Sequence, residues 1–242
     1  MAYLEKEKRK FWEREERVAT AVARSGGIAR YLTTLPNYQR AFKLQDRYLR
    51  CIDEGTPGGV HLAGSGILLD LSYVAEIARA MEVEAVTYHD NCTEVVRWGK
   101  TKNLLPDGEL EEAKKIYARL AQELEVPLYK IELRRPEGLH IARAIYYDGT
   151  GSFDPSVING LPTGFVISRR YLEADYALRE VTMALDIAFG AYGFGEWFTR
   201  TTPLWLVVLG SQSLPAAKLI RELEPLIENR VGGVKINELS LP

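Results

Sequence analysis

Short runs with strand character alternate with amphipathic helical stretches along this 242-residue chain, and that alternation narrows the possible folds most. Segments 47–53, 60–63, 83–88, 128–133, 140–147, 164–168 and 204–209 read as extended, bounded in several places by glycine-rich turns. After Gly64-Ser65-Gly66, the residues Leu68, Leu71, Val74, Ala75 and Ala78 recur at helical spacing. Pro106-Asp107-Gly108 precedes a helix over about 109–124 with Ile116, Leu120 and Leu124 on one face, and 171–189 and 215–228 read as further helices. Helical crossovers between strands produce parallel pairs. The expectation is an α/β fold, a mostly parallel sheet flanked by helices on both faces. No internal repeat or linker is visible, so one domain over 1–242 is expected, with a helical N-terminal arm over about 1–46.

The arm opens with a charged helix at 3–24, carrying Phe11, Trp12, Val18, Ala21 and Val22 and stopped by Gly26-Gly27. It reads equally as a solvated arm or as a helix packed on a partner subunit. A net charge of -2 and scattered basic residues give no pull toward nucleic acid or an anionic membrane. The longest strongly apolar run, 204–209, is too short to span a bilayer. No leader is visible after Met1, and two cysteines do not make a disulfide scaffold. A soluble, cytosolic protein is expected.

Those two cysteines, with one of three histidines, form a metal-ligand pattern. Cys51 follows one predicted strand; His89 and Cys92 bracket His89-Asp90-Asn91-Cys92 after another. Open α/β sheets collect ligands at the carboxyl ends of strands, where both halves of this set lie. Two thiolates and one imidazole suit zinc, with cadmium also possible, and leave a fourth position for water or substrate. Asp53, two residues beyond Cys51, is placed to orient that water. Taken singly, each cysteine also reads as an ordinary small buried hydrophobe.

Cys51-x-Asp53 followed by His89-x-x-Cys92 resembles the beta-class carbonic anhydrases. The segment Pro57-Gly58-Gly59-Val60-His61-Leu62-Ala63 and the stretches at 140–147 and 164–209 are similar to zeta-class, cadmium-type carbonic anhydrases. The resemblance spans roughly 49–209. It implies Cys51, His89 and Cys92 as metal ligands and Asp53 as the neighbouring carboxylate; separately, the glycines of 58–66 read as letting backbone pass close to the metal, with Gly64 within reach of a bound substrate. The resemblance also implies hydration of carbon dioxide to bicarbonate, and a homodimer or higher oligomer with the N-terminal helix as an arm. Hydrolysis of carbon disulfide or carbonyl sulfide fits the same chemistry.

One departure stands out. Those families continue Cys-x-Asp-x-Arg, and the arginine holds the aspartate away from the metal; here that position is Gly55. Asp53 is therefore expected either to close the metal site as a fourth ligand or to find an arginine from elsewhere, with Arg50, Arg97 and Arg143 as candidates. A closed site would mean a catalytically silent, metal-stabilised fold. The run 58–66 lacks a full dinucleotide or phosphate-loop pattern, because Leu69 occupies the third glycine position. His61 and His140 read as proton shuttles or as ordinary histidines. Asp90 and Asn91 read as supports for the ligands or as turn residues. The aromatic group Tyr192, Phe194, Trp197, Phe198 and Trp205 reads as core packing, a pocket lining or a dimer seam.

Overall fold

Runs rich in valine, isoleucine, leucine and aromatics set the strands, and polar–apolar stretches between them carry the chain back for the next one. In the computed structural model this yields eight parallel-paired strands, described over residues 2–56, 58–105, 108–228 and 233–239. Pro57, and the Pro106 and Asp107 read above as preceding a helix, lie outside the described residues.

The first sheet contains β1 (Tyr48–Arg50), β2 (Val60–His61), β3 (Ala85–Tyr88) and β4 (Leu128–Lys130), in the order β2-β1-β3-β4. The second contains β5 (Ala144–Asp148), β6 (Gly164–Ile167), β7 (Leu204–Leu209) and β8 (Val234–Glu238), in the order β6-β5-β7-β8. Every strand pair is parallel. The helices are α1 (Ala2–Arg24), α2 (Ile28–Thr34), α3 (Leu71–Ala80), α4 (Thr93–Thr101), α5 (Glu109–Glu123), α6 (Ala174–Phe189) and α7 (Ala216–Glu228). The α/β class expected from alternation is the one observed. No helix among the described residues is long and apolar enough to cross a membrane.

The sheet is divided in two, and the two parts repeat one another. Each begins with a strand, lays the next on its outer side, then returns past the first to add two more. The expectation of no internal repeat is corrected at the level of topology. The repeat lies in strand order, whereas residue identity and connection length have diverged: β1 and β2 are joined by a short turn, β5 and β6 by a longer loop. The edges β2 and β6 approach each other. Ser168 donates its backbone N–H to His61 O at 3.3 Å, and His61 N–H reaches Ser168 Oγ at 2.9 Å. One apolar cluster runs through both sheets, from Leu49, Val60 and Val86 to Ile145, Phe165, Leu206 and Leu223.

Helix α1 covers its own chain. Trp12 packs edge-on against Phe194, Trp197 and Phe198, with ring centroids 4.9, 5.7 and 5.6 Å away. Buried Glu15 accepts Thr163 N–H and Oγ1–H at 3.0 and 2.9 Å, tying the helix to the start of β6. A fully solvated arm does not describe it. The aromatic group is the packing surface beneath this helix, except Tyr192, which is 66% exposed.

Candidate metal centre

Parallel pairing of β1 with β3, Leu49 opposite Val86, brings the carboxyl ends of two sequence-distant strands side by side. Cys51 leaves the first end, and His89 and Cys92 leave the second. All three are buried, at 3, 2 and 5% exposure. Their candidate donor atoms lie within 4.8 Å of one another. The two Sγ atoms are 3.8 Å apart. Two sulfurs bound to one tetrahedral zinc at ~2.3 Å would be separated by roughly 3.8 Å, so the spacing fits one shared ion.

The imidazole is aimed by its backbone. His89 Nδ1 donates to Asp90 O at 2.8 Å, which orients the ring and leaves Nε2 as the candidate ligand atom once its own proton is lost. That Nε2 is buried and has no hydrogen-bond partner, as a ligand atom without its ion should be. Asn91 takes a left-handed φ of 55°, which folds His89 and Cys92 back toward one point. Asp90 turns outward to Lys130 Nζ at 2.6 Å, so Asp90 and Asn91 serve the turn and its carbonyl. Cys92 caps α4, where the helix N-terminus favours a thiolate.

The ionisation of the donors follows from this crowding. The Cys92 thiol and the His89 ring beside Cys51 hold its thiol well below the usual range despite burial. Cys92, next to that developing thiolate and buried, is pushed up. For His89, burial disfavours the imidazolium, but the Cys51 sulfur outweighs it and raises the pKa to about 9.

Asp53 settles the question raised by Gly55. Arg135, in the loop after β4, grips the carboxylate through Nε at 2.9 and 3.1 Å and Nη2 at 2.8 Å. Both side chains are almost fully buried, at 3 and 5% exposure. Gly55 N–H adds a bond to Oδ1 at 2.8 Å. Burial would raise this acid, but the hydrogen bonds and charge of Arg135 keep it below the usual carboxylate range. The glycine is required by that arrival: a Cβ on residue 55 would stand 2.8 Å from Arg135 Cγ. The position that carries arginine in the resembled families is emptied here, and a guanidinium from elsewhere fills the space.

None of the three candidate cations does this. Arg50 donates to Gly58 O at 2.6 Å and lies over Tyr48. Arg97 stands 3.7 Å from Glu94. Arg143 pairs with Glu16 at 2.9 Å, enclosed by Trp12, Phe198 and Trp205. Arg135 is not singled out by sequence reasoning because its partner is 82 residues earlier. The signal available is its position, since it follows β4 at the same carboxyl edge as the ligands.

A second layer surrounds the aspartate. Glu54 accepts Ile141 N–H at 2.8 Å and His140 Nδ1–H at 3.1 Å, while His140 Nε2 faces Thr93 Oγ1 at 3.4 Å. His140 and Thr93 line a cavity of about 440 Å³ with Arg97, Arg135 and Tyr192. A smaller one, about 230 Å³, borders His89 and Arg135. Burial would lower His140, but the Glu54 carboxylate raises it. His61 serves differently, as a brace for the ligand turn. Its Nδ1–H bonds Cys51 O at 2.7 Å, and burial keeps the ring neutral.

Gly64, the candidate substrate contact, is buried at φ +54°, where a Cβ would meet Ile67 Cγ2 at 2.8 Å. Its carbonyl accepts Tyr117 O–H at 2.7 Å. The Gly64-Ser65-Gly66 segment forms a tight 3₁₀ turn, and α3 begins only at Leu71, so the glycines do not open a helix N-terminus for a phosphate. Comparison with protein-family models, with curated proteins and with solved structures finds no match for this chain.

Proposed function

We propose that the chain is a zinc-dependent lyase that hydrates carbon dioxide to bicarbonate, similar in its site to beta-class carbonic anhydrases. The observation that carries the reading is the donor set: two sulfurs 3.8 Å apart and an unpartnered, pre-aimed imidazole nitrogen at adjoining strand ends. Cys51, His89 and Cys92 would hold the ion. A zinc bound there supplies an acidified water as nucleophile near neutral pH.

The protein's own groups do the rest. Arg135 occupies the Asp53 carboxylate from one side, so the acid is restrained from becoming a fourth ligand. Held below its usual pKa, Asp53 is a poor base and a good acceptor, which suits it to orient the nucleophile rather than to take its proton. His140, paired with Glu54 and lining the larger cavity, is the group to carry protons out. The Arg135–Asp53 pair favours this reading over the alternative of a catalytically silent fold closed by Asp53.

Elemental analysis of purified protein and stopped-flow hydration of carbon dioxide test the proposal together. About one equivalent of zinc and a rate above buffer from neutral to alkaline pH are expected; metal-replete protein with no rate above buffer would overturn it. Replacing His140 with alanine should make turnover depend on buffer concentration while leaving metal content intact. Unchanged buffer dependence would remove His140 from the proton path.

A further inference from the structure

Helix α6 buries Ala177, Val181, Ala184, Leu185 and Ala188, and in the middle of that apolar stripe stands Glu180, 3% exposed. One of its oxygens is accounted for, because Oε1 accepts Ala63 N–H at 2.7 Å. The other, Oε2, is buried with no hydrogen-bond partner. Leaving a buried polar atom unpaired forfeits its solvation with nothing in return, so one in a native site calls for a missing partner.

Its surroundings identify that partner's place. Ala63 lies two residues beyond His61, whose ring braces the Cys51 carbonyl. Glu94, two residues beyond Cys92, is also buried with both oxygens free of hydrogen bonds, and a Cβ on Gly64 would lie 3.3 Å from its Cβ. Glu180 therefore reaches from the second sheet's helix to the turn after β2, next to Gly64, which Glu94 also adjoins. Cys51 and Glu94 stand near enough for their charges to act on it. Burial first, then the charges of Cys51 and Glu94, raise the Glu180 acid well above its usual range. A carboxyl set in an apolar stripe and held by a single hydrogen bond favours its neutral form, which is an O–H donor.

We propose that Glu180 is a substrate-binding residue whose carboxyl Oε2–H donates a hydrogen bond to an oxygen of carbon dioxide or bicarbonate at the metal centre. The assignment rests on the function proposed above. Ala63 N–H holds Oε1 and so fixes which oxygen is the donor.

Infrared difference spectroscopy of the zinc-loaded protein, with bicarbonate as probe, reads this directly. A protonated-carboxyl C=O band that is absent from Glu180→Gln and moves when bicarbonate is added is the expected result. A band that does not move, or no such band, overturns the donor role. In kinetics, Glu180→Gln keeps both the acceptor for Ala63 N–H and a donor, and should stay near wild type. Glu180→Leu should lose kcat/KM on the order of 100-fold with zinc content unchanged. If Glu180→Leu does not fold, the band shift in the wild-type protein still decides. A moving band in a protein that hydrates no carbon dioxide would sink the proposed reaction and keep the donor; hydration with an unmoved band would do the reverse.

Discussion

At residue 55 a glycine stands because an arginine from residue 135 needs the room. The two positions form one device: Gly55 supplies the space and an N–H, and Arg135 supplies the charge, both directed at Asp53. Removing the guanidinium leaves a buried carboxylate uncompensated, and breaking such a pair costs about 3 kcal/mol or more. Arg135→Ala should therefore lower urea-unfolding stability by that amount and suppress hydration, because Asp53 is freed to bind the metal. Arg135→Lys should recover little, since one ammonium cannot reproduce the planar, two-pronged contact. Asp53 also predicts a pH dependence with a definite sign. Its folded pKa is depressed, so its contribution is present above the unfolded value of about 3.9 and is lost as pH falls through the lower folded one. Urea titrations of wild type and Asp53→Asn should differ at neutral pH and converge in strong acid. The convergence of Cys51, His89 and Cys92 is legible from residue type and strand-end position, whereas the place of Arg135 is not. Spacing along a chain is silent about a loop that folds back from 82 residues away.

Among the elements, those set by strong periodicity lie where the residue pattern puts them. β7 over Leu204–Leu209 and α5 over Glu109–Glu123 match almost residue for residue, because apolar runs and helical faces are local signals. Two short elements leave no such signal: α4, only nine residues long and starting directly after a ligand, and β8, whose Val234–Glu238 is half polar at a sheet edge. The start of α3 shifts to Leu71 because Gly64 and Ser65 adopt left-handed backbone that a helix cannot use. Helix α1 is evident in the sequence, but its binding face is not, since its aromatic partners lie nearly two hundred residues later. Trp12→Ala should cost about 3 kcal/mol in thermal or chemical unfolding, at the low end for a large aromatic because Trp12 is only partly buried. It should leave metal stoichiometry unchanged. A variant as stable as wild type would show that the helix is not held by this contact.

At the scale of the whole molecule there are two sheets of identical strand order, only one of which carries the candidate metal donors. The chain's two cysteines and three histidines all precede β5, so the second sheet ends in Gly149-Thr150-Gly151 and Gly210-Ser211 where the first ends in that candidate donor set. Asp148, at the end of β5, accepts from Thr150, Gly151 and Phe153 and so stitches its own turn. Elemental analysis should accordingly find about one ion per chain despite the doubled topology, and Cys92→Ala should abolish it. Calorimetry of zinc uptake in buffers of different ionisation heat should also detect proton release, because Cys92 and His89 are protonated before the ion arrives. The second sheet still serves the first, through Glu180 on α6 and the contacts at the β2–β6 edge.

Moving a counter-ion from two places along the backbone to a distant bend changes how such a protein can be found. A linear signature that demands Cys-x-Asp-x-Arg rejects this chain at its fifth letter. A spatial template built from two sulfurs, one imidazole nitrogen and a guanidinium-clasped carboxylate accepts it, whatever order the polymer delivers them in.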